Sequence, residues 1–288
     1  MDQQLDGIEF ERLTLLARLA KKAVLNPLAN RLPVSWWKEW LGGGKSELAE
    51  ANWKNPGGWR SMVISYQGKP EKLWDRLLVN GGTIPMALRN RRKLAGRLIA
   101  RLIDQTDHEP VHLLCLGAGP GMITADALAL AKRRADATLV DLSGDAFAFG
   151  RQHAADMGLS DRMTFIQGDV RDVAPQIDQR VSIVKTIGIF EYITDEQIGG
   201  IAQAVRRVMP PGSAIVFNSI SLRHGTDRFL RRVFGLHMIH RSPKQLQELL
   251  APAGFDTFEV FPEPLGIYHV IVGRMGSQGQ GEGPGKSP

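Results

Sequence analysis

The chain has 288 residues, 43% hydrophobic and 23% charged, enough to bury a full core as one large domain or as a domain with a smaller appendage. Lys and Arg outnumber Asp and Glu by 36 to 30, and a net charge of +6 spread along a chain describes a solvated surface before it describes an anionic partner. The single cysteine, Cys115, excludes a disulfide framework and a thiolate zinc cluster, no 18 uncharged apolar residues follow one another, and the opening Met-Asp-Gln-Gln-Leu-Asp lacks a basic leader pattern; a cytoplasmic protein without a membrane span is expected.

Residues 9–24 set Leu13, Leu15, Leu16, Leu19 and Val24 among charged neighbours, predicting an amphipathic helix that closes before Asn26-Pro27. Ser35 then suits the N-cap of a short helix carrying Trp36, Trp37 and Trp40. All six tryptophans lie in the first 74 residues, which marks residues 1–82 as a helical, Trp-rich N-terminal cap. Most of these rings suit a small core, and the turn Asn55-Pro56-Gly57-Gly58-Trp59-Arg60 is placed to carry one or two into a pocket. Gly44-Lys45-Ser46 imitates the end of a phosphate-binding loop, but Glu39 stands where that loop needs glycine and no buried strand precedes it.

From Ile84-Pro85 to Asp104 apolar residues repeat at helical spacing while Arg89, Arg91, Arg92, Lys93, Arg97 and Arg101 take other faces, a long basic helix. Its Arg89-Asn90-Arg91-Arg92 cluster suits an anionic substrate group. A strand at 111–116 then enters a turn with Gly117, Gly119 and Gly121, whose glycines permit sharp turning and close approach to a ligand and whose following helix aims free N–H groups at it. Met122 stands where a dinucleotide fingerprint wants Gly or Ala. A second strand ends at Asp141, placed to accept two ribose hydroxyls, with Ser143 as cap of the next helix. Further strands at 163–167, 181–184 and 214–217 alternate with helices, which implies a parallel sheet covered on both faces, and two β-type runs at 257–261 and 268–272 close the chain. The five glycines, two prolines and lack of apolar residues from Gly276 to Pro288 predict a disordered tail at 276–288.

Taken in order, Leu-Gly-Ala-Gly-Pro-Gly, Val-Asp-Leu-Ser, Gln-Gly-Asp-Val, Ile-Phe-Glu-Tyr-Ile-Thr-Asp-Glu, Pro-Pro-Gly-Ser and the Ala-Gly-Phe before the closing hairpin resemble the class I S-adenosyl-L-methionine (SAM)-dependent methyltransferase family over about residues 111–273. The resemblance also extends to bacterial methyltransferases that bear an N-terminal extension of this type. It implies a Rossmann-like, doubly wound α/β fold, a mostly parallel seven-stranded sheet with a C-terminal β-hairpin, at residues 83–275 beside the helical cap. It implies SAM as cofactor and S-adenosyl-L-homocysteine as product. Gly117, Gly119 and Gly121 would approach the methionine half, Asp141 with Leu142 the ribose, Asp169 with Val170 the adenine edge, and Ile187, within Lys185–Tyr192, the transferred methyl. Cys115 and Ser182 depart from the family, which often carries acidic residues there, so that the SAM amino group would need other contacts.

In-line displacement from a sulfonium rests on orientation more than on an enzyme base. The sequence after the fourth strand does not match the Asn/Asp-Pro-Pro-aromatic pattern of base amino-methyltransferases, Cys115 is misplaced for C5-cytosine chemistry, and no clustered acidic metal ligands are evident, so no metal is expected. An O, C or N atom of a small-molecule acceptor remains, with Tyr192 and Glu191 as candidate bases ahead of His237 and His240. Alternatives are an RNA-modifying methyltransferase using the basic 89–101 helix, and a SAM-fold aminocarboxypropyltransferase or binding module. The sequence does not define an oligomeric state.

Overall fold

A computed structural model describes residues 7–276; the expected tail at 277–288 lies outside the described residues. Seven strands, β1 (Val111–Leu116), β2 (Ala135–Asp141), β3 (Met163–Gln167), β4 (Ile183–Thr186), β5 (Ala214–Ile220), β6 (Phe255–Pro262) and β7 (Tyr268–Met275), form one sheet in the order β3-β2-β1-β4-β5-β7-β6. The first five pair in parallel and β7 runs antiparallel to both β5 and β6. This is the Rossmann-like sheet with a terminal hairpin that the alternation of elements and the resemblance together implied.

β1 is buried along its whole length, as a central parallel strand must be. Its side chains alternate between layers: Leu113 and Cys115 join the core under the long Thr83–Gln105 helix, while Leu114 and Leu116 join the core under the Asp195–Arg206 and Pro243–Leu250 helices. Strand order reverses between β1 and β4, and a crevice opens there at the carboxyl ends.

The N-terminal helices differ from expectation in detail. Helix begins only at Leu15, capped by Thr14, and runs through Pro27 to Arg31 with a π-helical turn at Lys21–Leu25. In that wider turn the Asn26 N–H reaches the Lys21 carbonyl, so the hydrogen-bond register shifts just ahead of the proline that lacks a donor. The expected apolar stripe faces outward, with Leu15, Leu16, Leu19 and Val24 exposed. The next helix starts at Val34 behind Pro33 and places Ser35 inside its first turn instead of at the cap. Ser46 of the false phosphate loop caps the Glu47–Lys54 helix.

The region 1–82, expected to stand as a separate cap, completes its core with distant parts of the chain. Leu41, Ala49 and the half-buried Trp37, Trp53 and Trp74 pack with Ile220, Phe229, Val233, Phe234 and Tyr268. A helix the sequence reading did not separate, Asp227–Phe234, supplies much of that surface. Among the described residues no helix is long and apolar enough to cross a membrane.

Candidate active site

The crevice at the switch point continues into a cavity of about 550 Å³. One end is the glycine turn. Gly117, Gly119 and Gly121 all hold positive φ (61°, 54° and 75°), a region that costs other residues steric energy. Their uses differ. A Cβ on Gly119 would meet only the Trp59 Cβ, at 3.9 Å, so this glycine leaves open space for a ligand beside the backbone. A Cβ on Gly117 would come within 2.9 Å of Ile189 Cδ1. Gly121, expected to approach the cofactor, does not line the cavity: a Cβ there would strike Leu139 and Met163, so this glycine serves the packing of the turn on the sheet.

Asp141 ends β2 with both oxygens engaged by the turn: Oδ2 accepts the Gly119 N–H at 2.7 Å and Oδ1 the Ser143 N–H at 3.0 Å. A carboxylate has about four acceptor directions, so lone pairs remain to face the cavity. Ser143 caps the following helix, which leaves Asp141 free for a ligand. Leu142, exposed, and Val170 and Ile187, buried, line the same cavity. Asp169 caps a short helix at Val170–Val173 and pairs with Arg171, whose hydrogen bonds and charge hold its carboxyl down at about 2.

Deep in this half lies a residue the motif reading passed over. Lys185 on β4 is 2% exposed, stands beside Cys115 in the strand register, and makes no hydrogen bond among the described residues. Burial lowers its pKa, with Arg91 adding to the effect and Cys115 and Asp141 opposing it. Cys115 itself is inert core: its thiol meets Thr124 Oγ1 at 3.2 Å, and burial pushes its pKa up. Where an acid would favour an ammonium, this chain therefore presents a cation suited to a carboxylate.

The other end of the cavity is walled by the Asn55–Trp59 turn, Met62, Tyr66, Leu88 and the Ile187–Ile193 segment. Trp59 thus fulfils the expectation that this turn carries a ring into a pocket; the other tryptophans pack among themselves or on Phe229 and Phe234. The floor is Arg91, 1% exposed, its guanidinium 4.5 Å over the Tyr268 ring. Tyr66 Oη (3.1 Å), Asn218 Oδ1 (3.3 Å) and Glu191 Oε1 (3.4 Å) surround it. Burial opposes its charge, but Tyr66, Tyr268 and Glu191 outweigh that and raise its pKa. All three tyrosines of the chain, Tyr66, Tyr192 and Tyr268, meet at this end. Arg91 Nε, Glu191 Oε2 and Asn218 Nδ2 are buried without a hydrogen-bond partner among the described residues, unspent capacity that a polar ligand would use.

Of the expected anion cluster only Arg91 reaches the cavity. Arg89 forks onto Glu11 (2.6 and 2.7 Å), Asn90 bonds the Glu11 backbone, and Arg92 forks onto Asp126 (2.6 and 2.8 Å). Arg89 and Arg92 are held by carboxylates within the chain and Arg91 is buried, so this part of the helix is a packed element and not a continuous basic face. Of the expected bases, Glu191 and Tyr192 both line the cavity. Tyr192 has 42% of its surface accessible, yet its hydroxyl packs against Gly57, and burial followed by the Glu191 charge raises its pKa. A phenol held this way is protonated at neutral pH and has a hydrogen bond to donate. His237 lies outside the cavity lining, and His240 lies behind the wall beside His224, where burial lowers both pKa values, that of His224 to about 4.

Residues 113–212 match the family model of a methyltransferase domain. The tRNA 5-carboxymethoxyuridine methyltransferase of Escherichia coli K12 is 25% identical over 125 residues, 43% of this chain and 46% of that protein. The ubiquinone biosynthesis O-methyltransferase of Alkalilimnicola ehrlichii is 24% identical over 148 residues, 50% of this chain and 56% of that protein. The chain thus spans about half the length of the curated relatives it matches. The crystal structure of magnesium protoporphyrin IX methyltransferase from Synechocystis PCC 6803 with bound S-adenosylhomocysteine superposes with a TM-score of 0.55 at 10% identity, covering 84% of this chain and 99% of that one.

Proposed function

The chain carries a methyltransferase domain of the class I, SAM-dependent family, and we propose that it moves the methyl group of SAM to an O, C or N atom of a small-molecule acceptor held on the Arg91 floor. One observation carries the choice of acceptor: the glycine turn and the buried Arg91–Glu191 pair line a single walled cavity, a volume in the range of small-molecule sites. A polynucleotide offers this wall at most one flipped base.

The residues fit the cofactor. Gly119 leaves space beside backbone at the start of a helix, Gly117 lines the same turn, and Asp141 offers spare acceptor directions to ribose hydroxyls. Leu142 lies beside the ribose, Asp169 and Val170 on the adenine side, and Ile187 on the methyl side, all of them lining the cavity. Lys185 is placed to pair with the methionine carboxylate, a role that accounts for a buried ammonium with no partner of its own. Bound SAM supplies an electrophilic methyl on a sulfonium that leaves readily. The chain's part is orientation and exclusion of water. Trp59, Met62 and Leu88 wall the acceptor, the Arg91 guanidinium holds an anionic or carbonyl oxygen on it, and Tyr192 donates a hydrogen bond. Glu191 Oε2, unpaired, is the group best placed to take a proton from the attacking atom. A cytoplasmic setting suits the one reduced, buried thiol.

Calorimetry with SAM and S-adenosylhomocysteine tests the cofactor, and absence of binding by the wild-type protein would overturn the reading. A screen of metabolite extracts with methyl-labelled SAM then finds the acceptor, and product mass separates methyl from aminocarboxypropyl transfer. Label appearing only in tRNA or rRNA would replace the small-molecule reading with the RNA one.

A further inference from the structure

After β5 the chain makes a 3-10 turn at Leu222–His224, enters the Asp227–Phe234 helix, and returns through residues 236–241 along the outer side of the cavity wall. The return brings His240 back against His224, with ring centroids 5.8 Å apart, and Asp227, in the first turn of the helix, faces both. Each of the three offers a ligand atom within 4.8 Å of the others', and of His224 Nε2, His240 Nε2 and Asp227 Oδ1 the last two stand 3.9 Å apart.

All three atoms are buried and have no hydrogen-bond partner among the described residues, and His224 is 0% exposed. Three orphaned groups converging on one point are unusual, since buried polar groups nearly always find partners. The atoms on the far sides of His224 and Asp227, by contrast, are occupied. His224 Nδ1 accepts the Thr226 N–H at 3.2 Å and meets Thr226 Oγ1 at 3.1 Å, and Asp227 Oδ2 pairs with Arg231 Nε at 2.8 Å. These contacts turn the unpartnered His224 Nε2 and Asp227 Oδ1 inward, and metal binding at His224 requires its ring proton to move from Nε2 to Nδ1, where Thr226 Oγ1 is placed to accept it.

We propose that His224, Asp227 and His240 bind one divalent transition-metal ion. Two imidazoles and one carboxylate select for zinc-like ions over calcium or magnesium, which favour all-oxygen shells. Ligand bonds of about 2.0–2.1 Å place tetrahedral ligand atoms about 3.3 Å apart, so the trio closes on the ion by small side-chain movements, and among the described residues no fourth His, Cys, Asp or Glu joins the group, which leaves a position for water. The site fastens the returning strap. The Ile239 N–H donates to the Glu191 carbonyl at 2.8 Å and Arg241 donates to the Phe190 carbonyl at 2.6 Å, so the metal would hold the wall that carries Glu191 and Tyr192. This inference is independent of which acceptor the enzyme takes.

The test uses the full chain, stripped with chelator and titrated with Zn2+ by calorimetry and with Co2+ by visible absorption. One equivalent should bind at micromolar or tighter affinity. Co2+ should give the intense d–d bands of a four-coordinate nitrogen–oxygen site, and both His240→Ala and Asp227→Asn should weaken Zn2+ binding at least tenfold. SAM binding, measured on the same samples, reports whether the cavity is intact. Absence of stoichiometric binding by the wild-type chain overturns the proposal, as does binding that His240→Ala and Asp227→Asn leave unchanged. The wild-type Co2+ spectrum needs no variant, so a misfolded substitution does not shield the proposal: weak six-coordinate bands with no imidazole character also refute it.

Discussion

Replacement of Asp141 by alanine isolates the link between the turn and the cofactor. In the folded chain the carboxylate already accepts the N–H groups of Gly119 and Ser143, so the substitution releases two backbone donors and removes the acceptors offered to a ribose diol. Hydrogen bonds to a charged group contribute about 1.5–3 kcal/mol each. Two to the ribose at the lower bound come to about 3 kcal/mol, a rise in the SAM dissociation constant of roughly 100-fold. Loosening of the turn adds to this. Asp141→Asn keeps one acceptor oxygen and should fall between, near tenfold. Isothermal titration with SAM and S-adenosylhomocysteine reads both, and far-UV circular dichroism with a melting curve checks that the variants are folded. Binding of SAM by folded Asp141→Ala within threefold of wild type would refute the assignment of this strand end as the ribose site.

Three other outcomes are expected. Arg91→Ala strands the buried Glu191 carboxylate and should cost about 3–5 kcal/mol, whereas Arg91→Met with Glu191→Gln should recover most of that stability without recovering activity; urea melts decide, and an undisturbed melt for Arg91→Ala would contradict the buried pair. His112 is pushed below its ordinary pKa by burial, with its Nε2 against Thr138 Oγ1 at 3.1 Å, so the unfolded chain binds the proton more readily. Its contribution to stability is full above about pH 6.5 and is lost as pH falls through the lowered folded value, and His112→Gln should flatten that limb of the pH–stability curve. Cys115, whose thiol pKa is raised by burial, should resist a maleimide in the folded protein and react in denaturant; modification at native rates would mean that β1 opens.

The sheet and the cofactor end of the cavity were legible in the sequence because both rest on local signals. A short, nearly continuous apolar run sets β1, and the glycines around Gly119, the acid ending β2 and the Ser143 cap each act within a few residues of their own position. Gly121 has the same backbone signature as Gly119, and only the packing of Leu139 and Met163 from other elements tells the two apart. The acceptor end is a product of long-range contact. Arg91, Glu191, Asn218 and Tyr268 come from a helix, a loop and two strands, and nothing in the neighbourhood of any one of them names the others. The basic helix follows the same rule: its charges imitate a surface, but Glu11 and Asp126 hold Arg89 and Arg92 from segments far off in sequence. The facing pair His224 and His240 likewise depends on a helix whose reversal at Gly235 the periodicity did not reveal.

The balance of charge along the cavity gives the proposed reaction its physical sense. The sulfonium and the amino group of SAM are both cationic, and this chain replaces acids near them with Cys115 and Ser182 while burying Lys185 and Arg91 nearby. Net positive potential opposes SAM in the ground state, and it can be offset in two places: Asp141 and Asp169 at the nucleoside end, and an anion at the acceptor end. Lys185 with a methionine carboxylate supplies part of that anion from the cofactor itself. Arg91, whose contacts with Glu191 and Asn218 are long at 3.4 and 3.3 Å, has capacity for the rest. An acceptor bearing a carboxylate or a phenolate therefore meets two needs at once, neutralising the floor and supplying a nucleophile that attacks the methyl carbon while the carbon–sulfur bond breaks, so that anion and sulfonium both become neutral. A neutral amine acceptor meets neither, and on these grounds an acidic oxygen compound ranks first among small-molecule acceptors for this site.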